Sequence, residues 1–244
     1  MRNTLILFKR ELMGYFATPV AYVFIVVFLL LIGWITFSLS GFYEAERADL
    51  QGFFGFHPWL YLFLIPAISM RLWSEERKTG TIELLMTLPV TIGQAVVGKY
   101  LAAWAFTAIA LVLTFPMWIT VNYLGKPDNG VILASYAGSL LMAGGFLGIG
   151  ACMSALTRNQ VIAFVLTLML CLIFILLGFP AVLDFISGWE PAAVVDAVRS
   201  FSFLTHFTSI TKGVIDARDL LFFGSLIALC LFANAVVLDL KKAD

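Results

Sequence analysis

The residues able to do chemistry in this chain are few. Two histidines, His57 and His206, and three cysteines, Cys152, Cys171 and Cys230, are scattered over 244 residues. No His-Glu-x-x-His run offers a zinc site, and no Gly-x-Ser-x-Gly run offers a serine nucleophile. The cysteines all fall inside apolar stretches, where a thiol serves as a small packing group rather than as part of a disulfide framework or metal cluster. A two-histidine metal site is conceivable, but polar packing at a membrane interface accounts for His57 and His206 more simply. Gly93-Gln-Ala-Val-Val-Gly98-Lys99 matches the opening of a phosphate-binding loop, yet Tyr100 stands where Ser or Thr must hold magnesium. An apolar run follows at once, so the glycines fit the entry into a helix and Lys99 fits an interfacial anchor. No catalytic residue, metal or cofactor is expected.

One stretch does carry a pattern. Residues 71–90 hold a charged cluster, Glu75-Glu76-Arg77-Lys78, that ends at Thr79-Gly80. A second short helix is expected to start near Thr81, whose hydroxyl can cap free backbone N–H groups. It would carry Ile82, Leu85 and Met86 on one face and stop before Pro89, which cannot continue it. Two uses fit such a helix: lying on a membrane surface, or docking its apolar face into a groove of a soluble partner.

The elements that position this loop are written in the charge distribution. Hydrophobic residues make up 61% of the chain and charged ones 12%, against about 25% charged in a soluble domain. A net charge of zero gives no basic face for nucleic acid. Six stretches lack Asp, Glu, Lys and Arg altogether: 12–43, 50–70, 100–125, 129–157, 159–183 and 220–238. A helix of about 20 such residues crosses the roughly 30 Å of bilayer hydrocarbon. In 20–39, fourteen of twenty residues are Leu, Ile, Phe or Val, which favours insertion by about 4 to 8 kcal/mol. The runs are continuously apolar rather than alternating, which excludes an outer-membrane barrel. Ser38-Leu39-Ser40 resembles a signal-peptidase site, but the run before it exceeds the 7–15 apolar residues of a signal peptide, so this first span is expected to be retained.

The expected fold is therefore an all-α membrane protein, a single unit over 1–244. It has an N-terminal interfacial helix at 3–16 and spans at about 20–43, 53–73, 97–124, 131–156, 160–183 and 219–239. Residues 75–90 form an inner loop and 184–218 an outer segment. With both termini inside, ten of fifteen basic residues lie on the inner side, from Arg2 to Lys242, which obeys the positive-inside rule. No Asp, Glu, Lys, Arg or His is expected mid-span, so an ion-coupled carrier lacks its coupling groups. Within 3–16, Leu5, Phe8, Leu12 and Phe16 fall at helical spacing, though Lys9, Arg10 and Glu11 spread over a wide arc. In 184–218, Val194, Val198 and Phe201 share one face, Phe203, Phe207 and Ile210 another, and Gly213 can end the second helix. Gly144 and Gly148, four apart, suit close helix approach within the chain or between two copies.

The run from Glu75 to Val90, followed by Gly98-Lys99, resembles the signature of ABC-2-type permeases, the membrane halves of ATP-binding-cassette exporters. Within that family the likeness is to the gliding-motility (Gld) type, supported by the stretch from Thr205 to Phe223. The resemblance implies a type V exporter-like half-transporter in a bacterial inner membrane. A second permease subunit, identical or different, and two cytoplasmic ATPase subunits would complete it. It implies a coupling helix in the inner loop, with Glu75, Glu76, Thr79, Gly80, Thr81, Glu83, Leu84, Leu85 and Pro89 matching the family pattern. These residues would transmit ATPase closure and take no part in bond chemistry. Residues 184–218 would form short outer re-entrant helices, with Phe203, His206 and Phe207 as an outer gate, or else a plain periplasmic cap. The apolar spans point to a hydrophobic or amphiphilic substrate, or to one handled with a periplasmic accessory protein; besides lipid, no other partner class is implied. The rival expectation is a passive channel or a membrane scaffold that recruits a cytoplasmic partner without a transport cycle.

Overall fold

A computed structural model describes residues 2–42, 48–83, 90–187 and 192–241. The described residues are helical, with no strand among them. In chain order the helices are α1 (Arg2–Phe16), α2 (Pro19–Ser38), α3 (Gln51–Gly55), α4 (His57–Ser69), α5 (Arg71–Thr79), α6 (Ile92–Val112) and α7 (Phe115–Leu124). There follow α8 (Asn129–Leu156), α9 (Gln160–Leu176), α10 (Pro180–Ser187), α11 (Ala192–Arg199), α12 (Phe203–Thr211) and α13 (Ala217–Leu240).

Four helical segments are long and apolar enough to cross a membrane: Pro19–Ser38, Ile92–Leu124, Asn129–Leu156 and Ala217–Leu240. Gln160–Leu176 is apolar but shorter. Three of the segments expected to span are interrupted; the last of them, 160–183, breaks at 177–179 between α9 and α10. Residues 53–73 are divided at Phe56 and Met70 into α3, α4 and α5. Pro58 near the start of α4 and Pro66 inside it remove backbone donors at those places. Residues 97–124 break at Leu113–Thr114, just before Pro116, where the Thr114 hydroxyl donates to the Leu111 carbonyl at 2.6 Å.

α8 is the centre of the bundle, with α4, α5, α6, α9, α12 and α13 packed around it. Of its most apolar 18-residue window 78% is buried, against 11% for α13. Its small residues explain the position. A Cβ added at Gly150 would lie 2.0 Å from Ser69 Oγ, one at Gly138 2.7 Å from Ile210 Cγ2, and one at Gly148 3.2 Å from Cys230 Cβ. Tyr100 donates to the Gly144 carbonyl at 3.0 Å and Trp104 to the Leu140 carbonyl at 2.8 Å. The Gly144/Gly148 stripe is thus occupied within the chain by α6 and α13.

α2 shows the opposite character. Ala21, Ile25, Phe28, Ile32 and Thr36 form one buried stripe at three- and four-residue spacing. Val23, Leu30 and Trp34 face outward and stay exposed. The same holds for Leu221, Leu229, Phe232 and Leu240 of α13. Apolar surface on this scale needs lipid or another protein as its solvent.

Candidate functional site

The inner-loop residues begin on α5, and the sequence makes α5 a charged, closed unit. Arg71 and Glu75, four apart, form a two-pronged ion pair at 2.8 and 3.0 Å. The hydrogen bonds from Arg71 hold the Glu75 carboxyl below the usual carboxylate range, against the opposing effect of partial burial. Gly80 ends the helix in the left-handed region at φ 74°, a conformation in which a Cβ is strained. The Thr79 hydroxyl donates to the Glu75 carbonyl at 2.9 Å and lies 3.0 Å from the Thr81 hydroxyl. Helix resumes at Thr81, Ile82 and Glu83. Leu84, Leu85 and Pro89 lie outside the described residues.

α5 is anchored to the end of α8. Ser154 Oγ accepts from the backbone N–H groups of Trp73 and Ser74, each at 3.1 Å, and donates to the Met70 carbonyl at 2.8 Å. These are first-turn donors that a helix cannot satisfy itself, so a side chain from α8 caps α5. Arg77 donates to the Ala155 carbonyl, and Lys241 at the end of α13 donates to the Leu156 carbonyl at 2.5 Å. Two cations thus cap the carbonyl end of α8, where the helix dipole is negative.

The second anchor is Lys99. Its side chain is 5% exposed, with the ammonium 2.8 Å from Glu76 Oε1 and 3.1 Å from Glu11 Oε2. The ammonium also sits 5.3 Å from the centre of the Trp73 ring. One cation therefore ties α1, α5 and α6 together. Burial alone would raise the Glu11 pKa, but the charge of Lys99 and hydrogen bonds from Arg10 and Lys99 hold it below the usual value. Glu76 Oε2 is buried with no hydrogen-bond partner among the described residues.

This geometry accounts for the Gly-x-x-x-x-Gly-Lys run. Thr91 and Gln94 form a reciprocal capping box, so a regular helix begins at Ile92. A Cβ at Gly98 would lie 3.1 Å from Leu7 Cβ and 3.3 Å from the Thr4 carbonyl. Gly98 lets α1 cross close to α6, and Lys99 is a buried bridge rather than an anchor reaching outward to the interface. The inward face of α1 differs correspondingly from the expected Leu5–Phe8–Leu12–Phe16 stripe. Leu7 is buried, Leu12, Tyr15 and Phe16 pack on the core, and Leu5 is exposed. Glu11 turns inward because Lys99 is there to receive it. Glu11 and Ser154 carried no pattern in the sequence, and Lys99 only that of a charge bordering an apolar run.

The residues expected at an outer gate sit in packed surroundings. Phe203 and Phe207 are buried, and the Phe203 ring lies 4.8 to 5.8 Å from Phe146, Phe174, Phe222 and Phe223. His206 Nδ1 is 2.6 Å from Asp219 Oδ1, and Nε2 is 2.9 Å from the Ser200 carbonyl. Ser202 caps α12 by accepting from Leu204 and Thr205 N–H groups, and Gly213 follows its end at φ 83°. His57 is fully buried, with Nδ1 3.3 Å from Ser139 Oγ and its ring stacked on Tyr61 at 5.4 Å. Each histidine is thus engaged by its own neighbours. No group of three or more His, Cys, Asp or Glu able to hold a metal occurs among the described residues.

Comparison with known proteins agrees with the membrane architecture. A family model described as ABC-2 family transporter protein matches residues 22–238. No curated protein matches the chain in sequence. Members of this family are multi-pass membrane subunits that normally work with a cytoplasmic ATP-binding-cassette ATPase and are not themselves the ATPase. The chain belongs to the ABC-2 transporter family, as a membrane permease component of an ABC transporter.

Proposed function

We propose that this chain is the permease subunit of an ATP-driven exporter of the Gld type in a bacterial inner membrane. Two permease chains and two separate ATPase subunits make up the working unit. Both termini are cytoplasmic, and the six crossings fall at about 20–43, 53–73, 97–124, 131–156, 160–183 and 219–239, so that α5 emerges on the inner side. The observation that carries the reading is the double anchoring of α5, through Lys99 to α1 and α6 and through Ser154 and Arg77 to α8. A docking helix on a loosely held loop would absorb the movement of an ATPase. A helix leading out of this cluster moves four elements together.

In this reading Glu75, Glu76, Thr79, Gly80, Thr81, Glu83, Leu84, Leu85 and Pro89 form the coupling segment. Glu75 braces α5 internally by pairing with Arg71, and Glu76 holds α5 to Lys99 of α6. Gly80 turns the chain, and Leu84 and Leu85 enter the ATPase groove. Phe203, His206 and Phe207 belong to the opposite end of the transport path, where α12 closes the outer side. The tight anchoring favours this over a passive channel or scaffold, which has no movement to transmit.

The test is copurification of the detergent-solubilised chain with its candidate ATPase, comparing wild type with a Glu83→Arg, Leu85→Asp double variant. A stoichiometric complex that the double variant loses is the expected result. A complex that survives the substitutions moves the contact away from this loop. Absence of any complex with the wild-type chain favours a channel or scaffold.

A further inference from the structure

Beside the Lys99 cluster, α1, α2, α4, α5 and α6 enclose an open cleft of about 310 Å³. Its walls are of two kinds. The inner part is aromatic and aliphatic: the Tyr15 and Phe106 rings stack at 5.1 Å, Phe24 lies 5.5 Å from Phe106, and Ile68 and Ala67 complete the surface. The other part carries Glu11, Arg71, Glu75 and Lys99. Gly14, Thr18 and Val20 at the mouth are exposed. Arg71 and Lys99 border the ends of the charge-free runs 50–70 and 100–125, which sets the cleft at the depth where hydrocarbon gives way to headgroups.

We infer that this cleft binds a zwitterionic aminophospholipid, headgroup against the charged wall and the upper part of one chain against the aromatic wall. A guanidinium has five N–H donors, and Arg71 spends two of its own on Glu75. The remainder are free to meet a phosphate in the geometry that arginine favours. Glu75 and Glu11 offer carboxylate oxygens to an ammonium group. Two cations and two carboxylates line the cleft; this balance fits a headgroup carrying both charges. An anionic lipid would satisfy Arg71 and leave the carboxylates facing its phosphate. The volume is at the lower end of the range for small-molecule sites, about 300 to 1,000 Å³. It takes a headgroup and the first part of a chain, with the rest lying along the exposed face of α2. The inference rests on the membrane character of the chain and is independent of the ATPase-coupling proposal.

The experiment is native mass spectrometry of the full detergent-purified chain with an equimolar mixture of dioleoyl phosphatidylethanolamine and dioleoyl phosphatidylglycerol. The expected result is a single retained lipid, the ethanolamine form preferred by about tenfold. Ala67→Phe, which fills the apolar part, and Arg71→Gln, which removes the phosphate contact, are each expected to abolish that preference. Melting temperatures of the variants show whether each is folded, and one folded variant suffices for the comparison. Equal retention of the two lipids, or undiminished preference in a folded variant, overturns the assignment. Free phosphoethanolamine is expected not to displace the lipid; if it does, the acyl chain is no part of the site and the lipid assignment fails.

Discussion

The ammonium of Lys99 lies 2.8 Å from Glu76 on a side chain that is 5% exposed, so a charge from α6 is buried against a charge from the inner loop. Glu11 approaches the same ammonium from α1 at 3.1 Å. Removing Lys99 strands the Glu76 carboxylate and leaves Glu11 with Arg10 alone. Lys99→Met is expected to destabilise the chain by about 3 kcal/mol, the cost of breaking a buried pair by deleting one partner. Adding Glu11→Gln and Glu76→Gln should recover most of the loss, measured as thermal melting in detergent. A single variant as stable as wild type would show that the cluster is not held in solution.

Acid should loosen the same region. Glu11 and Glu75 are both held below the usual carboxylate value of 4.5. A carboxyl with a depressed folded-state pKa stabilises the protein above its unfolded value and loses that contribution as pH falls through the folded value. Melting temperature is therefore expected to fall between about pH 5 and pH 3. The drop should be shallower in Glu11→Gln, because that variant has already lost the titrating partner. Identical profiles for variant and wild type would remove Glu11 from the account.

Ser154 is a cap supplied from another helix. Ser154→Ala leaves the Trp73 and Ser74 N–H groups unpaired in a buried place, which costs about 1–3 kcal/mol. Limited proteolysis should then cut within 71–83 faster than in wild type while the rest of the chain stays resistant. Unaltered cleavage would mean that α5 holds its position without this contact.

Phe203 separates packing from gating. Its ring is buried among four phenylalanines, so Phe203→Ala is expected to cost about 3–5 kcal/mol. A Phe203→Leu variant keeps most of the apolar volume and should restore much of the stability. Were Phe203 solely a gate, both variants would melt like wild type and differ only in transport.

Gly98 and Gly93 make a contrasting pair within one motif. Gly98→Ala brings a Cβ to 3.1 Å from Leu7 Cβ and forces α1 away from α6, whereas a Cβ at Gly93 meets nothing within 4 Å. Gly98→Ala is expected to lower the melting temperature, with a cost of about 1–3 kcal/mol for overpacking. Gly93→Ala should leave it unchanged or slightly raised. A phosphate-binding loop would need both glycines, and equal sensitivity at the two positions would revive that reading.

Much of the candidate site was legible in the sequence because it follows local rules. The charged run Glu75–Lys78 before Thr79-Gly80 marks a helix end, and Gly80 is found in the left-handed conformation that only glycine adopts without strain. The Phe203–Phe207–Ile210 spacing before Gly213 marks a short helix, and all three residues are buried on one face of α12. The inward face of α1 was harder to find. Leu5 and Phe8 fit a helical stripe as well as Leu7 does, and the choice was made by Glu11, whose partner lies on another helix.

The sequence by itself determined that this chain lives in lipid, since long runs without charge cannot be solvated by water. It also determined the family likeness, in the residues from Glu75 to Val90. Tertiary structure decided what each charge and each glycine is for. Lys99 became a three-helix bridge, Ser154 a cap for a distant helix, and the Gly144/Gly148 stripe a seat for α6 and α13. The physical reason is that periodicity fixes which residues share a helix face, whereas the meeting of two faces depends on the packing of the whole bundle.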